Sequence, residues 1–166
     1  MKIEITKGAC DDAIRIVRGD GSEALTRFPH KGPVPHDAVH WFIERGLGLK
    51  DGFWGMIAAG AHPKDLLEIA KAAGHASAKR AVVPDTSIVV LIQAERLVEC
   101  FEAELWSGGS DNAGLIAMAE AGCESSHVPL PTIAPSALGG AREALRAFAA
   151  EWIAAPVGHV ARLDWG

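Results

Sequence analysis

Apolar side chains alternate with polar ones in Lys2-Ile3-Glu4-Ile5-Thr6, and residues 13–18 and 23–28 repeat the alternation on either side of Gly19-Asp20-Gly21-Ser22. A period of two marks a half-buried strand, and a turn rich in glycine and aspartate between two such runs marks a hairpin. The next segment, Phe28-Pro29-His30-Lys31-Gly32-Pro33-Val34-Pro35, holds three prolines and a glycine. Neither regular element tolerates that density, so the β part of the chain should end here.

From Asp37 the apolar period becomes helical. A first helix should stop near Gly46 or Gly48, followed by a short segment over 52–61. His62-Pro63-Lys64-Asp65 reads as a helix entry, with His62 a boundary residue, leading through Leu66, Leu67, Ile69 and Ala70 to a stop at Gly74. Pro84-Asp85-Thr86 opens the longest helix, expected over 86–106 and central to the fold. Residues 88–92 are apolar all round, which predicts deep burial or an oligomer contact, whereas Leu97, Val98, Phe101 and Leu105 form a one-sided stripe. Asp111 is placed to cap a helix over 112–123. A further helix is expected over 136–155, interrupted early by Gly139-Gly140, and 157–165 alternates weakly as a last strand. The pattern predicts an α+β fold in one domain, 1–166, with 1–34 mainly β and 36–155 mainly α. A small N-terminal antiparallel sheet, with the C-terminal strand a candidate to join it, should pack on five or six helices.

Length and composition narrow the function classes. The 166 residues, 49% hydrophobic and 22% charged, suffice for a core without disulfide or metal staples. A net charge of −5 without any Lys/Arg cluster argues against nucleic acid as a partner. The start lacks the apolar stretch of a signal peptide and no apolar run approaches a membrane span, so a cytoplasmic protein with no membrane partner is expected. The cysteines, Cys10, Cys100 and Cys123, are odd in number and form no Cys-x-x-Cys pair; they read as buried thiols.

Candidate chemistry concentrates in Pro35-His36-Asp37-Ala38-Val39-His40-Trp41-Phe42-Ile43-Glu44. Helical positions four apart lie about 6 Å along the axis and roughly 40° around it, so His36 and His40 can aim their imidazoles at one point. That spacing suits a divalent metal such as zinc, and in zinc proteases the residue after the first histidine is the general base, the place Asp37 holds here. Glu44, about 12 Å along the axis from His36, serves better as a partner to His40 than as a third ligand, which must come from elsewhere. On this reading the protein is a metal-dependent hydrolase, with His36 and His40 as ligands and Asp37 and Glu44 in catalytic roles. The alternative is a non-catalytic homo-oligomer or small-molecule binder. In it Asp37 caps the helix behind Pro35, and His40 with Glu44 is an ordinary helical pair.

Other constellations carry less. Glu95, Glu99 and Glu102 read first as a solvated helix face paired with Arg96 and Arg45, although Glu99 is kept as a candidate third ligand. Glu124-Ser125-Ser126-His127 has the Glu-x-x-His spacing of di-iron bundles without the matching carboxylates. The glycine turns lack a phosphate loop's context. Cys100 reads as packing, and Trp41 and Trp54 as walls of a pocket around His40 or as core anchors.

The run Gly32-Pro33-Val34-Pro35-His36-Asp37-Ala38-Val39-His40-Trp41-Phe42-Ile43-Glu44, continued by Leu47-Gly48-Leu49 and Gly52-Phe53-Trp54-Gly55, resembles a family of bacterial proteins without an established activity, over roughly positions 17 to 61. A looser similarity is to the zinc-associated His-Asp-x-x-His proteins of ubiquinone biosynthesis, which place a Glu downstream of the motif. Here the matching position is Gly52, with Asp51 beside it. The adjacent His36-Asp37 is also similar to the His-Asp pair of metal phosphohydrolases, whose further histidine and aspartate elements find no counterpart.

Overall fold

The computed structural model describes residues 1–72 and 83–166. Three N-terminal strands, β1 (Lys2–Thr6), β2 (Asp11–Val17) and β3 (Glu23–Pro29), precede helices α1 (His36–Leu47), α2 (Phe53–Ala58) and α3 (Pro63–Ala72). A short 3-10 turn, Thr86–Ile88, leads into α4 (Val89–Ser107), then α5 (Asn112–Ser125), α6 (Pro135–Ala154) and strand β4 (Val160–Asp164). The fold is α+β, as the periodicity predicts. The Gly74 stop of the third helix lies outside the described residues.

The four strands form one antiparallel sheet in the order β3-β2-β1-β4, so the C-terminal strand does join the N-terminal hairpin. Register puts Ile3 opposite Ile16 and Leu163, and Ile5 opposite Ile14 and Ala161. Ile3, Ile5, Ile14 and Ile16 therefore share the inner face and are fully buried. The outer face is charged: Arg15 pairs with Glu23 at 2.6 Å and with Glu4 at 3.4 Å, and Arg162 with Glu4 at 3.2 Å.

Two apolar clusters meet along α1. Ala38 joins the sheet isoleucines, Phe53, Trp54 and Ile57 of α2, Leu66, Leu91 and Trp152. Val39 and Ile43 join a second cluster with Leu97, Val98 and Phe101 of α4, Leu115 of α5 and Leu138 and Leu145 of α6. Because α1 is packed on both sides, its remaining stripe, His36, His40 and Glu44 at the four-residue step, is drawn inward and faces α2 and α4.

Basic side chains immediately after β1 and β2 tie down helix ends. Lys7 Nζ donates to the carbonyls of Trp152 and Ala155, both at 2.7 Å, at the end of α6. Arg18 donates to the Ile57 and Ala61 carbonyls at 2.7 and 2.8 Å, at the end of α2. Each puts positive charge where the helix dipole is negative and carbonyls lack partners.

Several local expectations need correction. Gly139-Gly140 does not interrupt α6, which runs unbroken because flanking residues such as Leu138, Ala141 and Leu145 are buried in the core. Cys10 is exposed, since it sits in the β1–β2 connection; Cys100 and Cys123 are buried as expected. Residues 88–92 divide: Leu91 and Ile92 are buried, the other three half-buried. No helix among the described residues is long and apolar enough to cross a membrane.

Candidate functional site

Helix α1 begins at His36 itself, with Pro35 as its N-cap and no side-chain cap, so Asp37 stands in the first turn without the capping bond expected of it. The first histidine is thereby inside regular geometry. The His36 and His40 rings lie 4.8 Å apart at 80°, from successive turns.

Both rings point an Nε2 at the same carboxylate. Glu95 of α4 places Oε2 2.7 Å from His40 Nε2 and Oε1 3.5 Å from His36 Nε2. One donor atom from each of His36, His40 and Glu95 lies within 4.8 Å of the others. Each histidine also has a second carboxylate on its other nitrogen: Glu44 sits 2.9 Å from His40 Nδ1, and Glu102 sits 3.0 Å from His36 Nδ1. A carboxylate on Nδ1 holds that nitrogen as the N–H donor and turns Nε2 toward the shared point.

Glu44 does more than orient His40. It is fully buried, and its two oxygens also accept the backbone amides of Phe53 and Trp54, each at 2.9 Å, at the start of α2. The link depends on two glycines. Gly48 ends α1 in the left-handed region, with φ 74°, and returns the chain toward Glu44. At Gly52 a Cβ would stand 2.6 Å from the Glu44 carboxyl carbon, closer than any side chain permits. The Leu47-Gly48-Leu49 and Gly52-Phe53-Trp54-Gly55 elements of the motif are thus the walls around Glu44.

Electrostatics at the cluster follow from burial and crowding. Burial opposes charge on His40, yet the Glu95 charge and the hydrogen bonds the ring donates to Glu44 and Glu95 outweigh it and push the imidazole up to about 10. His36 is raised as well: burial works against it, and the bonds to Glu102 and Glu95 prevail. Glu95 is held far below the usual carboxylate range despite its burial, chiefly by the charge of His40 and the bond to His36. Asp37 moves the other way, raised by burial and only partly offset by His36, His40 and Lys31.

A cavity of about 290 Å³ opens beside the cluster. His36, Asp37, His40 and Glu95 form one part of its wall, and Asp12 and His30 another, with Phe28, Phe53, Leu66, Leu67 and Leu91 among the rest. Asp12, 4% exposed, accepts from the Gly8 amide at 3.0 Å and lies 2.9 Å from His30 Nε2.

Of the candidate site residues, His36, His40 and Asp37 meet at the cavity, and Glu44 supports His40 from behind. Two assignments change. Glu99 is exposed and pairs with Arg96 at 2.9 Å, whereas Glu95, read from the sequence as part of a solvated face, points between the histidines. Arg45 lies over the Trp41 ring and donates to the Asp164 carbonyl, away from the α4 glutamates. Neither tryptophan lines the cavity: Trp54 is buried with its Nε1 on the Asp37 carbonyl at 2.8 Å, and Phe53, 5.4 Å from the His40 ring, takes the wall position instead. Pairwise spacing within α4 treats Glu95 and Glu99 alike; only the crossing of α4 over α1 separates them.

Comparison with protein-family models, curated proteins and solved structures finds no match to this chain.

Proposed function

We propose that His36, His40 and Glu95 hold a divalent metal ion, zinc best, and that the site hydrolyses a small molecule bound in the adjoining cavity. The observation that carries this reading is the convergence of both Nε2 atoms on one Glu95 carboxylate, with each Nδ1 committed to a different carboxylate. Two histidines and a carboxylate with an open fourth position is the donor set of catalytic zinc. Ligand bonds of about 2.0–2.1 Å place tetrahedral donors roughly 3.3 Å apart. Here one donor atom from each of the three residues lies within 4.8 Å of the others, a set that closes to that separation with small side-chain movements.

Charge balance supports the same reading. Glu44, Glu95, Glu102 and Asp37 surround the two imidazoles, and neutral rings would leave these carboxylates crowded and uncompensated. A dication relieves that crowding without protonating the rings. When bound, the ion would lower the pKa of water and polarise a carbonyl oxygen. Asp37, next to His36 and lining the cavity, is the base that takes the water's proton; a carboxyl raised by burial is better matched to that task than a free aspartate. Glu44 and Glu102 keep the imidazoles in the ligating tautomer. The likeness of the motif to His-Asp-x-x-His zinc proteins fits this account, with Glu95 supplying from another helix the carboxylate that those proteins carry downstream.

A second reading is structural: His40 as an imidazolium between Glu44 and Glu95 satisfies all three groups without an ion and cross-links α1, α2 and α4. Metal analysis separates the two. Protein purified from metal-supplemented medium should carry one zinc, manganese or iron per chain, and His40→Ala should lose it. Metal-free protein that takes up no ion on titration, with His40→Ala only lowering Tm, would overturn the metal reading.

A further inference from the structure

The cavity beside the cluster is a built compartment with its own chemistry. Its apolar wall comes from four separate elements, Phe28 on β3, Phe53 on α2, Leu66 and Leu67 on α3 and Leu91 on α4. Such a wall gives no hydrogen bonds and favours a ligand that sheds water readily. Its volume of about 290 Å³ is about twice that of an engineered apolar cavity of roughly 150 Å³ that takes up benzene. That limits the occupant to a molecule of one or two small rings, or a short branched chain.

Charge is excluded by the polar groups at the wall. Asp12, Asp37 and Glu95 line it, with Glu102 and Glu44 directly behind His36 and His40, and these carboxylates outnumber the His30, His36 and His40 rings and the Lys31 ammonium, so an anion meets net repulsion even with every ring protonated. Among the described lining residues the one lysine, Lys31, is exposed and faces solvent screening. A cation fares little better: Glu95 and Asp12 are already engaged by His40 and His30, and reaching Asp37 would strip the cation of its hydration against the apolar wall. We infer that this cavity binds a compact, uncharged, mainly apolar molecule, with its polar group toward the lining histidines His30, His36 and His40.

On the hydrolase reading proposed above, the substrate is then a neutral ester or amide of such a molecule. Water adds through oxygen to the carbonyl carbon, the bond from that carbon to the leaving oxygen or nitrogen breaks, and the leaving atom takes a proton. The products are a carboxylic acid and an alcohol or amine.

Indole and benzoate, similar in size and opposite in charge character, test the inference on metal-free protein. Methyl NMR of Leu66, Leu67 and Leu91 should show saturable shifts with indole, and benzoate should bind at least tenfold more weakly. Leu67→Trp, which fills the space from a half-buried position, should abolish the indole shifts while retaining Tm. No saturable shift at these methyls, or equal binding of both probes, would overturn the inference. A second arm uses zinc-loaded protein and p-nitrophenyl acetate. Turnover inhibited competitively by indole supports both readings. Indole binding without turnover leaves the cavity inference standing and removes the hydrolase reading, whereas turnover that indole does not inhibit removes the cavity inference alone.

Discussion

Glu95, Glu99 and Glu102 sit on the same helix within two turns, yet their surroundings assign them three different jobs. Glu95 lies between the histidine Nε2 atoms, Glu102 backs His36 from Nδ1, and Glu99 pairs with Arg96 at the surface. If the metal reading holds, removing the Glu95 charge should therefore differ from removing a supporting one. Glu95→Gln is expected to abolish stoichiometric zinc binding. Glu102→Gln should weaken it by about 10–100-fold, the usual effect of losing a carboxylate that orients a ligand histidine. Glu99→Gln should leave affinity unchanged. Competition against a chromophoric chelator measures all three, and an effect of Glu99→Gln as large as that of Glu102→Gln would contradict the assignment.

At the scale of elements, α2 is the least self-sufficient part of the structure and the one on which the site most depends. Six residues are too few for a helix to persist alone, so α2 is held by its ends: Glu44 accepts its first amides, and Arg18 donates to the Ile57 carbonyl in its last turn and to the Ala61 carbonyl just beyond. Gly52→Ala would drive a Cβ into the Glu44 carboxyl group and detach that cap. A loss of about 1–3 kcal/mol is expected, the cost of leaving buried polar groups unpaired, read by denaturant unfolding; Gly139→Ala, with open space around it, should be neutral or slightly stabilising. A comparable tie joins α4, α5 and α6, where buried Arg142 bonds Glu104 and reaches Asn112 at 2.7 Å. Arg142→Ala should cost about 1–3 kcal/mol, less than a fully stranded charge because Arg146 stays 3.5 Å from Glu104, and Arg142→Met with Glu104→Met should recover much of that loss. These elements were legible to different degrees. Strands and helices announce themselves through period two or period 3.6, and the His36-His40 pair through its four-residue step. Glu95 was not legible, because glutamates at helical spacing look the same whether they face water or another helix. The role of Glu44 at α2 was hidden too, since it depends on the Gly48 reversal bringing residues 53 and 54 back onto α1.

Across the whole molecule the cysteines report on which cores are closed. Cys10 is exposed beside the sheet, Cys100 belongs to the cluster between α1, α4, α5 and α6, and Cys123 packs with Ile92 and Val128. Burial pushes both interior thiols up to about 11, well above a free cysteine at about 8.5. In native protein at pH 8 a disulfide reagent should therefore titrate Cys10 alone, and all three thiols after denaturation. The same shifts make stability depend on pH. The folded state holds Cys100 and Cys123 as thiols, while the unfolded chain ionises them from about pH 8.5. Their contribution is complete below that pH and falls away as pH rises toward about 11, where the folded thiols ionise as well. The chain contains no tyrosine, but His40, held up to about 10 by its carboxylate partners, loses its proton in the same window and adds its own alkaline loss. Unfolding in urea from pH 8 to 10.5 should show the midpoint declining, and Cys100→Ala with Cys123→Ala should flatten that decline. An unchanged slope in the double variant would assign the alkaline loss to His40 and the lysines instead of the two interior thiols.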